Sequence, residues 1–119
     1  MIPKNLDEAV QSLIDMDLKE SHPAGFALRN SWGLWSGSIL AQWFYTKQIY
    51  HADDMSAIIF DSYKRSLIGE DRDLDGQIKK YHNHWRKSMG KDHLSKMRKD
   101  VIEYITLMRR EKIKRIFDL

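Results

Sequence analysis

Three observations predict an all-α domain of five or six helices. Apolar residues recur at three- and four-residue spacing in segment after segment between Leu6 and Ile113, which places them on one face of a helix. Residues that start and stop helices punctuate those segments: Asn5, Ser36 or Ser38 and Asp73 at their beginnings, Gly69 and Gly90 at their ends. No stretch shows the period-two alternation of a half-buried strand, and neither an internal repeat nor a low-complexity segment is present.

The first helix is expected over residues 6–19, with Leu6, Ala9, Val10, Leu13 and Ile14 on one face. Asn5 is its N-cap and Glu8, three residues on, completes a start of the capping-box kind. Pro23 breaks the pattern and suits the first turn of a short second helix reaching about Asn30, because the missing N–H costs nothing there. Arg29 near the end of that helix complements the negative end of its dipole. Trp32-Gly33-Leu34-Trp35 reads as a turn, with Gly33 supplying a backbone shape that a side chain would hinder.

A third helix, capped by Ser36 or Ser38, is predicted to run to about Gln48 with Ile39, Leu40, Trp43 and Phe44 inward. A fourth starts near His51. Asp53 and Asp54 stand in its first turn, Met55, Ile58, Ile59, Tyr63 and Leu67 form its apolar stripe, and Gly69 ends it. Asp73 caps a fifth helix with Leu74, Ile78, Tyr81 and Trp85 on one face. After Gly90, a long last helix from about Asp92 carries Leu94, Met97, Val101, Ile105, Met108 and Ile113, with Lys and Arg at most other positions. The core is expected on residues 26–68, which hold three of the four Trp, three of the four Phe and three of the five Tyr.

A chain of 119 residues is one domain by length and long enough to bury a core without staples. It contains no cysteine, which excludes disulfides, thiolate metal sites and a cysteine nucleophile. No apolar run approaches the roughly 20 residues that span a bilayer, and MIPKNLDEAV has acids where a signal peptide has an apolar run. A cytoplasmic protein that does not enter the membrane is expected. The net charge of +3 conceals a division: residues 1–75 hold 7 Lys and Arg against 12 Asp and Glu, and residues 76–119 hold 13 against 5. A basic end on an acidic body bears on partners and solubility.

Arg29-Asn30-Ser31-Trp32-Gly33-Leu34-Trp35, then His51-Ala52-Asp53-Asp54-Met55-Ser56, then Ser62-Tyr63, resembles a bacterial family known only as a domain of unknown function. Its pattern is R-N-x-W-G-L-W, H-P-D-D-M-S-x-I-I and S-Y-x-R, and the resemblance extends more weakly over about residues 5–87. Ala52 replaces the family's usual Pro, and Ala57 a frequent Gly. The resemblance implies a shared helical fold and no activity. It divides the chain into a helical domain at residues 1–88 and an added basic amphipathic helix at 91–119, packed on that domain or on a partner.

Several constellations suggest chemistry. Asp71, Asp73, Asp75, Gly76 and Ile78 match the opening of a calcium loop, but its twelfth position is His82 rather than a chelating Glu. Asp73 as a helix cap with Asp75 in the first turn is the simpler reading. His82 and His84, two apart on a helix, point to different sides, unlike an i, i+4 zinc pair, and read as surface histidines. No metal and no cofactor is expected. His51 beside Asp53 and Asp54 is explained by a helix N-terminus more simply than by acid–base chemistry. Arg29, Asn30, Trp32 and Trp35, with His51, leave two readings open: core packing, or a pocket where an indole stacks on a base and Arg grips a phosphate. The basic face of Lys79, Lys80, Arg86, Lys87, Lys96, Arg98, Lys99, Arg109, Arg110, Lys112 and Arg115 suits a phosphate backbone or a solvated helix surface. The expectation is a non-catalytic binding module acting through a protein partner or as a homo-oligomer. Nucleic-acid binding through the basic last third is the alternative, and a nucleotide-like pocket near Arg29–Trp35 the third reading.

Overall fold

The structure, a computed structural model, describes residues 2–16 and 24–117. Among the described residues six helices follow one another: α1 Leu6–Asp15, α2 Ala24–Ser31, α3 Ile39–Tyr45, α4 Ala52–Leu67, α5 Leu74–Met89 and α6 His93–Phe117. Among the described residues there is no strand. The chain is all-α, as its periodicity predicts.

Helix α4 is the centre. It buries Ala52, Met55, Ser56, Ile58, Ile59, Ser62 and Tyr63, a face too wide for one neighbour, and α1, α2, α3 and α5 all pack against it. Helix α1 contributes Leu6, Ala9, Val10 and Leu13, α2 Leu28, the turn after it Trp32 and Leu34, and α3 Leu40, Ala41 and Phe44. Helix α6 lies outside this set and packs on α5.

The helix starts are built as the sequence suggests. The Asn5 side chain accepts from the Glu8 N–H at 2.9 Å, and Glu8 Oε1 accepts from the Lys4 N–H, one residue before the usual capping-box position. Ser38 Oγ caps α3 through the Ala41 N–H at 3.2 Å. Asp73 caps α5 through the Gly76 N–H at 3.3 Å, and Asp75 stands in its first turn, so the calcium-loop residues are used as a helix start. Gly69 closes α4: the Glu70 N–H returns to the Arg65 carbonyl at 2.9 Å.

Four expectations are corrected. Ile14 is exposed, because the buried face of α1 is centred on Leu6, Val10 and Leu13. Ile39 is 61% exposed, since α3 turns Leu40 and Phe44 inward from its second residue. Leu67 ends α4 beyond the reach of its neighbours and is exposed. Helix α3 ends at Tyr45 rather than near Gln48, because Gln48 adopts φ +60° and the Ile49 N–H folds back to the Phe44 carbonyl at 3.0 Å. Helix α1 closes with Met16 as its C-cap; the remainder of its predicted run, and Pro23, lie outside the described residues.

Candidate functional site

The turn between α2 and α3 decides where the sequence-predicted site residues go. Gly33 at φ +66° and Gly37 at φ +71° hold backbone shapes that an L side chain resists. The turn sends Trp32 and Leu34 into the core and leaves Trp35 outside. Trp32 is 6% exposed and Trp35 52%. Asn30 is exposed on α2.

Arg29 reaches from the last turn of α2 to the first turn of α4. Its Nε lies 3.2 Å from Asp53 Oδ1 and its Nη1 donates to Ser56 Oγ at 3.2 Å; Ser56 Oγ in turn donates to the Asp53 carbonyl at 2.9 Å. His51 is the N-cap of α4, and its Nδ1 accepts from the Asp53 N–H at 3.1 Å. A neutral ring in that geometry carries its hydrogen on Nε2. The Arg29, His51, Asp53 and Ser56 positions of the motif therefore form a lock between α2 and α4.

A second group, not foreseen from sequence, continues outward from His51. The Trp35 ring meets His51 edge-on at 5.2 Å, His51 lies 5.8 Å from Trp85, and Trp85 lies 5.3 Å from His93 and 5.3 Å from His84. Trp85 Nε1 donates to Asp54 Oδ2 at 2.8 Å. Burial pushes the Asp54 carboxyl above its ordinary range; the Trp85 hydrogen bond, His51 and His84 pull it down less strongly, and Asp53 adds to the rise. This column joins the α2–α3 turn, the start of α4, the end of α5 and the start of α6. Sequence reading groups Trp35 with His51 and puts Trp85 on an inward face with Ile78 and Tyr81, but spacing does not bring these separate segments together. Among the described residues no three metal-ligating side chains converge as an ion would need.

His82 Nε2 lies 3.2 Å from the Lys47 carbonyl and 3.0 Å from that of Gln48. Two carbonyls can only accept, so Nε2 carries the hydrogen. His82, expected as a surface histidine, instead clamps the turn that ends α3.

The basic face follows α5 and α6. Lys79, Lys80, Arg86, Lys87, Lys96, Arg98, Lys99, Arg109, Arg110, Lys112 and Arg115 are all exposed. On α5 they form two flanks, Lys79 with Arg86 and Lys80 with Lys87, each pair seven residues apart. On α6, at 3.6 residues per turn, they surround the helix rather than forming one stripe: Lys96, Lys99, Arg110 and Lys114 point away from Leu94, and Lys112 and Arg115 share its side.

That apolar side of α6 is covered only at its start. Leu94 is buried, and Met97, Val101 and Ile105 are half-buried. Burial pushes the Tyr50 hydroxyl up with Arg98 opposing, and burial followed by nearby Tyr104 pushes Tyr45 up, so α6 runs past the end of α3. Farther along, Met108 on this side is 47% exposed, with Tyr104 at 40% and Leu107 at 51% on one flank and Ile102 at 50% on the other. Between this half of α6 and residues 36–42 lies a groove of about 500 Å³, lined by Ser36, Gly37, Gln42, Tyr104, Ile105, Met108, Arg109, Glu111, Lys112 and Arg115.

A family model described as a domain of unknown function (DUF6794) matches residues 15–67, from the end of α1 to the end of α4. The match includes the Arg29–Trp35 turn and the α4 start, and excludes α5 and α6. No curated protein and no solved structure matches the chain. No helix among the described residues is long and apolar enough to cross a membrane.

Proposed function

We propose that this chain is a non-catalytic binding module whose last helix receives a protein partner. The observation that carries the reading is the exposure of Tyr104, Leu107 and Met108, which lie within about 100° of one another around the second half of α6. Adjacent large apolar residues on a helix at the edge of a fold are the usual chemistry of a helix-borne interface, and aromatic and Met side chains are enriched there. Trp35 and Ile39, both exposed near the start of α3, add apolar area on the same molecule. The groups that could have served a pocket near Arg29 are engaged with one another: Arg29 with Asp53 and Ser56, His51 with the Asp53 N–H, and Asp54 with Trp85.

The exposed Lys and Arg of α5 and α6 support nucleic-acid binding as a second reading. Their spread around α6 favours it less than one continuous stripe would. Affinity capture from the native cell compares the wild type with a Leu107→Asp variant. That side chain is half-exposed, so the variant keeps its helical signal and melting temperature. A protein retained by the wild type and lost by the variant supports the module. Equal recovery by both, or capture only of nuclease-sensitive material, refutes it.

A further inference from the structure

We infer that the groove between α6 and residues 36–42 receives an acidic segment of the partner that carries one or two large apolar side chains. The inference rests on the reading of α6 as a docking face and adds the chemistry of the occupant. The floor is apolar: Tyr104, Ile105 and Met108 project from one side of α6. The opposite wall is backbone and small polar groups from Ser36, Gly37 and Gln42. The walls meet at Gly37, where a Cβ would make ordinary van der Waals contacts, 3.4 Å from the Tyr104 ring and 3.7 Å from Ile105.

The rim selects for charge. Arg109, Lys112 and Arg115 line the groove against a single acid, Glu111. They lie where the apolar floor ends, so an occupant seated on Tyr104 and Met108 brings its flanking side chains beside them. A basic occupant meets like charge at three positions, whereas an acidic one pairs with them. Gln42 donates its side-chain N–H to the Gly37 carbonyl at 3.0 Å, which holds that wall in place without an occupant. Apolar contacts thus supply a seat, and the cationic rim chooses the partner and speeds its arrival.

The full chain is titrated, with fluorescence anisotropy as the readout, against a labelled amphipathic peptide of Leu, Phe and Glu. A counterpart with every Glu replaced by Lys, and a Glu-only peptide without apolar residues, serve as comparators. Saturable binding of the first peptide is expected, at least tenfold tighter than either comparator. In a Lys112→Glu/Arg115→Glu variant it should weaken tenfold or more, with the melting temperature unchanged. Equal affinity for the Glu and Lys peptides, or an unaltered affinity in the variant, overturns the inference. So does a dimer in sedimentation that the same variant dissociates, since a second copy then fills the groove, or displacement of the peptide by short duplex DNA at lower concentration. If affinity capture still depends on Leu107 while the peptide fails, the acidic-segment inference falls and the binding-module reading stands.

Discussion

At the scale of single residues, Trp32 and Trp35 differ most sharply although they stand three positions apart in one motif. The sequence shows two indoles around a glycine; only the turn held by Gly33 and Gly37 sends one inward and one outward. Trp32→Ala should therefore cost on the order of 3–5 kcal/mol in urea denaturation. Trp35→Ala, which loses an edge contact with His51, should cost less than about 1.5 kcal/mol. Equal costs would contradict the placement of the turn. Asp54 supplies a pH test. Its carboxyl is raised chiefly by burial, so the protonated form is favoured more in the folded chain than in the unfolded one. The stability from that protonation is full below the ordinary carboxylate value of 3.8 and is lost as pH rises through the folded-state value. Asp54→Asn keeps an oxygen for Trp85 and removes the desolvated charge. Its melting temperature should exceed that of the wild type at pH 7, and the gap should close as pH falls through the carboxylate range. A variant less stable at pH 7 would show that the charge is held by attraction to the histidines.

At the scale of the helices, most of the architecture was legible in the sequence because it follows from local rules. Asn5, Ser38, His51 and Asp73 start helices, Gly69 stops one, and the buried faces of α1 and α4 follow their apolar spacing. The end of α3 was not legible. Its determinant is a contact between Gln48 and His82, 34 residues apart, and Gln48 has a left-handed backbone that glycine more often provides. An L residue in that conformation is strained by roughly 1–2 kcal/mol. Glycine relieves the strain and returns about 0.4–1 kcal/mol of it through a freer unfolded chain. Gln48→Gly should therefore raise stability by up to about 1.5 kcal/mol in thermal or urea melts. A loss would mean that the Gln48 side chain contributes more than its backbone costs.

At the scale of the whole molecule, α6 is covered less than the helices that precede it. Among the described residues, Leu94 is the one buried apolar side chain beyond residue 90. A chain of residues 1–90 should still melt cooperatively, less stable by more than the roughly 1.5–3 kcal/mol of buried Leu94, because the half-buried Met97, Val101 and Ile105 and the Trp85–His93 contact are lost with it. An unfolded or aggregated product would place α6 within the core. The candidate site was legible only in part. The apolar stripe of α6 was visible as spacing, but periodicity reports that a face is apolar and is blind to what covers it. Leu94 and Met108 belong to the same stripe, yet one lies against the body and the other beside an open groove. The most direct measurement of that uncovered half is site-specific photo-crosslinking in the native cell. A photoreactive residue replaces Leu107 in one strain and Glu70, exposed after α4, in another. A discrete adduct between this chain and a different protein at position 107, absent at position 70, is the expected result. No adduct at position 107, or the same products from both positions, would contradict a docking face on α6.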